Sequence, residues 1–377
     1  MRVGIPKETL AGERRVAATP ETIAKMVKSG MEVVCEAAAG AEAGYSDKAM
    51  EAAGADLVLT AQGVYSASDL VLKVNKPTDA EVAQMRAGCV LLSFLQPLVS
   101  PAMVKQLAQQ KVSAFSMELV PRTTRAQRMD ALSTMSTISG YKAVLLAAQA
   151  SGRFFPMLTT AVGTVQPAKV VVIGAGVAGL QAIATAKRLG GVVWAFDTRP
   201  VVAEQVKSVG GRFVSLEVAH DQAQDAGGYA KELPPEFYQK EQELIRKHSK
   251  DADVIITTAL IPGRRAPLLI TEPMVKEMKP GAVIVDLAVE QGGNCALTEF
   301  DKKVIKHGVV IYGLPNLPSG MAFDASFLYA RNLLALVDLL VPDGKAIQID
   351  LADDIVKGCL VTHGGAVVHP AVIPLVK

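Results

Sequence analysis

The stretch VVVIGAGVAGLQAIATAKRLG, residues 170–190, decides how the second half of the chain folds. A continuously apolar run leads through a glycine-rich turn into a segment with helical periodicity, which predicts a strand, a turn and a helix. In such a turn Gly174 permits the sharp bend, Gly176 lets backbone amides approach a pyrophosphate, and Gly179 allows helix and strand to pack closely. The helix N-terminus then faces the anion. The pattern therefore predicts a dinucleotide-binding unit.

The residues around this turn indicate which dinucleotide binds. Eighteen residues after Gly179 the next apolar run ends in Asp197, where a carboxylate accepts a hydrogen bond from a ribose 2′-hydroxyl and repels a 2′-phosphate. Asp197 therefore favours NAD(H), although Arg199, which we include among the cofactor-binding residues, leaves NADP(H) open. We predict that the cofactor also contacts Val177, Ala178, Thr198, Ala259 and Leu260.

The segment EVAHDQAQDAGGYAKELPP, residues 217–235, contains few side chains suited to a hydrophobic core. Its centre carries Gly228 and Tyr229. Long segments of this kind are either functional loops or tolerated surface insertions. We expect a mobile lid in which Gly228 and Tyr229 contact the bound nucleotide, and the insertion remains the alternative.

Composition narrows the class of protein. A chain of 377 residues exceeds what one hydrophobic core usually serves, so two domains are expected. The net charge of +2, without long runs of like charge, singles out neither nucleic acid nor an anionic membrane surface as a partner. The four cysteines lie far apart without a CxxC pair, which argues for reduced thiols and against a metal site. The N-terminus lacks the apolar region of a signal peptide, and no apolar run is long enough to span a membrane.

Short apolar runs alternate with capped helical segments in both halves of the chain. This alternation predicts an α/β protein with two doubly wound, Rossmann-like lobes. Two longer helical stretches, 133–150 and 321–340, are expected to join the lobes. The predicted domains are an N-terminal lobe of residues 1–132 plus 320–377 and an NAD(H)-binding lobe of residues 133–319.

A second unusual stretch is PRTTRAQRMDALS, residues 121–133. It gathers three arginines, a glutamine and an aspartate in a chain that is 50% hydrophobic. These are rigid hydrogen-bonding groups, and they are suited to holding a planar polar ligand. The alternative is an ordinary solvated connection whose polar residues cap the helix that follows.

Several motifs together resemble the alanine dehydrogenase and proton-translocating transhydrogenase superfamily, over essentially the whole chain. They are VGIPKE and GERRVAATP near the N-terminus, LVLKV around Lys73, the fingerprint GAGVAGLQAIATAKRLG, and VIVDLAVEQGGN at 283–294. Within that superfamily, RTTRAQRMDALS resembles a loop of the NAD(H)-binding component of nicotinamide nucleotide transhydrogenases. The residues at that loop's characteristic positions are Arg122, Gln127, Asp130 and Ser133, with Tyr141 at a nearby tyrosine position.

The resemblance leaves two activities open. An alanine dehydrogenase holds a substrate carboxylate and moves a proton as the hydride moves, so it needs an acid–base group. Arg15 and Lys73 match its carboxylate-binding positions, but its catalytic histidine corresponds to Gln96, and Glu290 replaces an expected aspartate. A glutamine exchanges no protons near neutral pH. All five histidines follow residue 200, so we expect the first lobe to lack imidazole and the histidines to be structural.

Transfer of a hydride between two nicotinamides needs alignment and exclusion of water instead of an acid. For this chemistry we predict that Arg122 and Gln127 fix a carboxamide. Asp130 is expected to orient Arg122 or to accept the amide N–H, and Ser133 to serve as helix cap and donor. The loop would then act as a clamp for one nicotinamide.

The partners follow from the resemblance and from the single complete fingerprint in the chain. NADP(H) is expected on another polypeptide, and membrane-spanning subunits are expected to couple the reaction to proton translocation. The resemblance implies an oxidoreductase that forms a homodimer, lies in the cytoplasm and is peripheral to the inner or plasma membrane, without direct membrane insertion. A third possibility is a redox-sensing module that binds NADH without catalysis.

Overall fold

A computed structural model describes residues 1–214, 235–261 and 264–376. The chain forms two compact units. Unit 1 comprises Met1–Met135 and Pro318–Lys377, and unit 2 comprises Ser136–Leu317. The predicted α/β class with two lobes is confirmed, and each lobe contains a sheet in which most strands are parallel.

The first segment of unit 1 alternates strands and helices. Its strands are β1 (Arg2–Ile5), β2 (Glu32–Glu36), β3 (Ala55–Val58), β4 (Leu70–Leu72), β5 (Val90–Ser93) and β6 (Ser113–Ser116). Its helices are α1 (Pro20–Lys28), α2 (Asp47–Ala52), α3 (Ala61–Ala67), α4 (Asp79–Gln84) and α5 (Pro101–Gln109). Proline occupies the first turn of both α1 and α5, where its missing N–H costs no hydrogen bond.

The long helix α6 (Ala131–Ala150) begins in unit 1 and ends in unit 2. The strands of unit 2 are β7 (Leu158–Thr160), β8 (Gly163–Val165), β9 (Lys169–Ile173), β10 (Val192–Phe196), β11 (Arg212–Val214), β12 (Val254–Thr257), β13 (Val283–Asp286), β14 (Lys302–Lys306) and β15 (Val309–Gly313). Its further helices are α7 (Val177–Arg188), α8 (Ala203–Ser208), α9 (Pro235–Ser249) and α10 (Glu272–Lys276). Strands β7 and β8 form a separate antiparallel hairpin.

The C-terminal segment belongs to unit 1. It consists of α11 (Ala322–Leu340), α12 (Asp354–Cys359), β16 (Leu360–His363) and β17 (Ala366–Val367). The two predicted long helices correspond to α6 and α11, and their role in joining the lobes remains a prediction. In the ranges that the structure describes, no helix combines the length and hydropathy needed to cross a membrane.

The two sheets share one strand order. Unit 2 is ordered β11-β10-β9-β12-β13-β15-β14, and only the edge strand β14 is antiparallel. Unit 1 is ordered β17-β16-β6-β5-β4-β1-β2-β3, with β16 and β17 antiparallel. Counting parallel strands within each unit, both read 3-2-1-4-5-6. In such sheets ligands bind beyond the carboxyl ends of the strands where the order reverses, here between β9 and β12 and between β1 and β4.

Close packing in unit 2 depends on two glycines. A Cβ at Gly179 would overlap the carbonyl oxygen of Gly174, so α7 starts directly against the end of β9. A Cβ at Gly140, on α6, would overlap the carbonyl oxygen of Ala178 in the first turn of α7. The neighbouring turn of α6, with Ala143 and Ala147, is buried in the same core. Small residues therefore let both helices approach the nucleotide turn.

This packing predicts an unusual effect of alanine at position 140. Alanine normally stabilises a helix by about 1 kcal/mol relative to glycine. Gly140→Ala should instead lower the free energy of unfolding by about 1–3 kcal/mol, because its Cβ is forced against backbone. The measurement is urea or thermal denaturation. The control is Gly63→Ala in α3, where the nearest neighbour of the added Cβ lies at 3.4 Å. Equal stability of Gly140→Ala and wild type would contradict this close contact between α6 and α7.

Candidate functional site

The glycine turn after β9 has an open face. Gly174 adopts a φ of 96°, a backbone conformation that favours glycine, and its carbonyl accepts a hydrogen bond of 3.0 Å from the Thr258 hydroxyl. Gly176 immediately precedes α7, without a side-chain cap on the helix. A Cβ at Gly176 would meet no atom within 4 Å. The first amides of α7, from Val177 and Ala178, thus start a helix whose N-terminus fits a phosphate group.

Asp197 follows the carboxyl end of β10, next to β9 in the sheet. Its Oδ2 accepts a hydrogen bond of 2.7 Å from the Ala175 amide, so the predicted ribose acceptor is tied to the glycine turn. Arg199 donates to the same carboxylate from its side chain and from its backbone. Thr198, between them, is partly exposed. The structure thus brings the fingerprint and Asp197 together.

Ala259 and Leu260 follow β12, which pairs with β9 at the reversal of strand order. The backbone of Ala259 is held by Asn294, whose Oδ1 accepts from the Ala259 amide at 3.1 Å and whose Nδ2 donates to the Ala259 carbonyl at 2.9 Å. The amide of Asn294 donates in turn to Asp286 at 2.8 Å. Residues 259–260 therefore lie beside the glycine turn. Sequence reasoning missed Asn294, although it ends the motif at 283–294.

One predicted element falls outside the described residues. Gly228 and Tyr229, with most of the proposed lid at 217–235, lie in the range 215–234 that the structure does not describe. Beyond this range α9 carries Glu241, which is buried. Burial, and secondly the charge of Asp197, raise the pKa of Glu241 to about 7. Sequence reasoning did not find this second carboxyl group in the neighbourhood of Asp197.

The loop at residues 122–133 lies at the end of the first segment of unit 1. Two buried side chains, Ala126 and Met129, anchor it from below. Arg122 and Gln127 are exposed, and Gln127 begins a short 3-10 helix that ends at Met129. The loop therefore presents polar side chains from an apolar base, as a binding loop does.

The helix after the loop begins earlier than predicted. We expected it to start at Ser133 with Ser133 as a cap, whereas α6 starts at Ala131. Asp130 precedes the helix, and its Oδ1 accepts the Ser133 amide at 2.8 Å. The cap is therefore Asp130, and Ser133 contributes its backbone N–H, because a carboxylate one residue before a helix satisfies an amide of the first turn. The predicted roles of Arg122 and Gln127 remain predictions.

The C-terminal segment of unit 1 holds this loop in place. Arg125 makes two hydrogen bonds to Asp353, of 2.7 and 2.9 Å, and also contacts Asp354. Asp353 simultaneously caps α12. The Arg128 carbonyl accepts a bond of 2.8 Å from Asn332 on α11. Two parts of the C-terminal segment thus fix the position of the loop.

A buried charge cluster lies where the strand order of unit 1 reverses. Arg15 donates to Glu13 through Nε at 2.8 Å and through a terminal nitrogen at 2.6 Å. Although burial of Glu13 opposes this, the Arg15 bonds and charge lower the pKa of Glu13 to about 2. Lys73 lies 2.9 Å from Glu81 and 3.5 Å from Glu8. Burial raises the pKa of Glu8. Both cations at the family's carboxylate-binding positions are therefore paired within their own unit.

The position that corresponds to a catalytic histidine is a strained turn. Gln96 follows β5 with a φ of 50°, and its amide donates to Glu118. The Leu95 amide donates to the same carboxylate at 3.1 Å. Burial raises the pKa of Glu118, and its hydrogen bonds partly offset that effect. Glu118, which sequence reasoning missed, thus stabilises the turn that carries Gln96.

The expectation that the first lobe lacks imidazole is wrong. His363 and His369 lie in the C-terminal segment, which returns to unit 1 because β16 pairs with β6. His363 contacts the Ser113 hydroxyl at 2.9 Å, at the amino end of β6, whereas Gln96 follows the carboxyl end of the neighbouring strand. His369 contacts the Gly358 carbonyl at 3.2 Å. Among the described residues no group of His, Cys, Asp and Glu side chains could hold a metal ion.

Comparison with known proteins gives concordant matches over the whole chain. The family model "Alanine dehydrogenase/PNT, N-terminal domain" matches residues 4–139, and the model of its C-terminal domain matches residues 143–370. The chain is 50% identical over 378 residues to an NAD(P) transhydrogenase alpha subunit of Rhodospirillum rubrum, covering 98% of both chains. It is 32% identical over 380 residues to an alanine dehydrogenase of Mycolicibacterium smegmatis, covering 99% of this chain and 96% of the other.

Solved structures agree with the sequence comparison. A crystal structure of a transhydrogenase from Sinorhizobium meliloti superposes with a TM-score of 0.86 at 41% identity, covering 98% of this chain and 100% of the other. An L-alanine dehydrogenase superposes with a TM-score of 0.83 at 28% identity, with both chains fully covered. The fold is thus common to the two enzymes, and the sequence is more similar to the transhydrogenases.

The anchoring of the 122–133 loop is testable by limited proteolysis. Asp353→Asn keeps a good helix cap but removes the charge that holds Arg125. Cleavage by trypsin after Arg122 and Arg128 should become about two- to fivefold faster, because the loop opens more often. Glu32→Gln, which breaks an exposed ion pair with Arg2 elsewhere in unit 1, is the matched control. An unchanged cleavage rate in Asp353→Asn would show that this contact does not hold the loop.

The raised pKa of Glu241 predicts a pH-dependent stability. Since the folded pKa of about 7 exceeds the ordinary value of 4.5, the folded protein binds more protons than the unfolded chain between these pH values. Wild-type stability should therefore fall as the pH rises through this window. Glu241→Gln removes the effect and should gain on the order of 2 kcal/mol relative to wild type between pH 5 and 8.

Melting temperatures of both proteins at several pH values measure this gain. Glu204→Gln serves as the control, because the side chain of Glu204 is 83% exposed. If the two variants show the same pH dependence as wild type, Glu241 is ionised in the folded protein at neutral pH.

Proposed function

The chain belongs to the alanine dehydrogenase/PNT family, and from this premise we propose that it is the NAD(H)-binding component of a nicotinamide nucleotide transhydrogenase. The observation that carries the proposal is the 50% identity, over 98% of both chains, to a transhydrogenase alpha subunit. The identity to an alanine dehydrogenase is 32% over a similar length. The protein would accordingly be an oxidoreductase that acts with partner subunits.

The site in unit 2 supports NAD(H) as its ligand. The open N-terminus of α7 at Gly176 suits the pyrophosphate, and the carboxylate of Asp197 suits a ribose hydroxyl. Residues 259–260, held by Asn294, line the neighbouring strand end. When bound, the dinucleotide supplies the hydride carbon of its nicotinamide ring. The protein residues bind and orient it.

The loop in unit 1 is proposed to handle the nicotinamide group. Arg122 and Gln127 are exposed planar donors that could hold a carboxamide in one orientation. Asp130 caps α6 through the Ser133 amide, so its role is to fix the junction between loop and helix. Hydride transfer between two carbons moves no proton to a heteroatom, and correct alignment then accounts for most of the catalysis.

The partners are proposed from the same relationship. NADP(H) would be held by a partner subunit, and membrane-spanning subunits would couple hydride transfer to proton translocation. The chain would act as a homodimer in the cytoplasm, peripheral to the inner or plasma membrane through those subunits. A relative from Cereibacter sphaeroides, named NAD(P) transhydrogenase subunit alpha, is 46% identical, and the match covers 71% of its length.

Alanine dehydrogenase is the competing activity. Arg15 and Lys73 stand at its carboxylate-binding positions, but both are paired with glutamates in this structure. Gln96 replaces the histidine, and the two imidazoles of unit 1 make other contacts. The geometry therefore favours transhydrogenation.

Reconstitution tests the proposed activity. The protein mixed with an NADP(H)-binding transhydrogenase subunit should transfer hydride from NADH to the bound NADP⁺. Gln127→Asn, shorter by one methylene, should slow single-turnover transfer roughly 10- to 100-fold while the Kd for NADH changes less than about threefold. Gln62→Asn, at an exposed glutamine of α3, is the control and should transfer at the wild-type rate.

Two outcomes would contradict the proposal. Steady oxidation of NADH with pyruvate and ammonia, without any partner subunit, would identify an alanine dehydrogenase. Tight NADH binding with no transfer in the reconstituted mixture would identify a binding module without catalysis. Unchanged transfer by Gln127→Asn would remove Gln127 from the site without affecting the assigned activity.

A further inference from the structure

The carboxylate of Asp197 is fully engaged in the described structure. Its Oδ2 accepts the Ala175 amide at 2.7 Å and a terminal nitrogen of Arg199 at 2.8 Å. Its Oδ1 accepts both the Arg199 amide and the Arg199 Nε at 2.9 Å. A carboxylate has about four lone-pair positions. The group that should bind a ribose is therefore held mainly by the arginine two residues further along the chain.

This ion pair is shielded from water. The side chain of Asp197 is 5% exposed and that of Arg199 is 14% exposed. Two parallel bonds from Nε and a terminal nitrogen give the fork geometry in which guanidinium groups bind carboxylates and phosphates most strongly. The backbone bond from the Arg199 amide keeps both side chains on one turn. Arg199 thus already makes, to Asp197, the contact that it would make to a phosphate.

A 2′-phosphate and a ribose diol make opposite demands on this turn. The diol donates hydrogen bonds and needs the carboxylate, whereas the phosphate carries negative charge and needs a guanidinium. Glu241 adds a second carboxyl group close enough to Asp197 for their charges to interact. Acidic groups therefore surround the position, and the guanidinium next to it is committed to one of them.

Resting on the proposed NAD(H) function, we propose that Arg199 is a specificity-determining residue whose capture by Asp197 rejects NADP(H). While Asp197 is charged, its carboxylate repels the 2′-phosphate and also withholds the guanidinium that would bind it. Loss of that charge releases Arg199, which then forms a 2′-phosphate site from residues already in place. The selectivity of the site is thus a property of the pair and not of the carboxylate alone.

The proposal predicts a gain of binding that depends on Arg199. The proteins to compare are wild type, Asp197→Asn, Arg199→Met and the double variant, titrated calorimetrically with NADH and with NADPH. Asp197→Asn keeps the shape and an acceptor for the Ala175 amide, so the turn should fold as before. We expect it to bind NADPH at least about tenfold more tightly than wild type, and NADH about tenfold more weakly.

The double variant decides the mechanism. If Arg199 binds the 2′-phosphate, Asp197→Asn with Arg199→Met loses the gained NADPH affinity, while Arg199→Met alone gains none. An equal gain in the single and double variants would overturn the proposal, because simple removal of repulsion would explain it. Absence of any gain in a folded Asp197→Asn protein would also overturn it. Should that variant fail to fold, Asp197→Ser makes the same test and carries the same expectations.

The experiment separates this inference from the function on which it rests. Failure of the wild-type protein to bind NADH would refute the NAD(H) assignment itself. Wild-type binding of NADH without an Arg199-dependent gain of NADPH binding in the Asp197 variants would refute only the role of Arg199.

Discussion

Contact between backbone atoms at the glycine turn is the constraint on which unit 2 depends. A Cβ at Gly179 would lie 2.9 Å from the Gly174 carbonyl carbon, and one at Gly140 would lie 2.9 Å from that of Ala178. Both distances are shorter than real Cβ atoms allow, so α6, α7 and the end of β9 meet only because three glycines line the junction. The same turn directs the Ala175 amide at Asp197, which fixes the end of the next strand. Nucleotide binding and folding therefore use one set of contacts.

Carboxylates near the strand ends of both units act as acceptors for backbone amides. Asp286 accepts the amides of Asn294 and Cys295 and the hydroxyl of Thr257. Glu118 stabilises the turn at Gln96, and Asp130 caps α6. A carboxylate that satisfies several donors is favoured in its charged form and is poorly suited to exchanging protons. This use of acidic groups is consistent with a reaction in which hydride passes between two carbons.

The sequence was sufficient where local pattern and fold agree, as in the buried strands, the proline-started helices and the fingerprint. It failed where tertiary contacts decide. The lysine-rich strand β14 pairs as an antiparallel edge, and its charged residues gave no strand signal. His363 could be placed in unit 1 only by the pairing of β16 with β6, which joins residues about 250 positions apart. Gly140 looks like any helical glycine until α7 is packed against it.

The two units share a strand order but differ at the point where it reverses. In unit 2 the loop after β9 is a glycine turn with an open face, and it leaves the first amides of α7 for a ligand. In unit 1 the loop after β1 carries Glu8, whose carboxylate accepts the Val74 amide at 2.7 Å and neighbours the buried Lys73. Ionised side chains and their hydrogen bonds fill the position that a pyrophosphate takes in such folds. The described residues of the chain therefore offer one dinucleotide site. A reaction between two dinucleotides then needs a second protein surface, which is the physical reason for assigning NADP(H) to a partner.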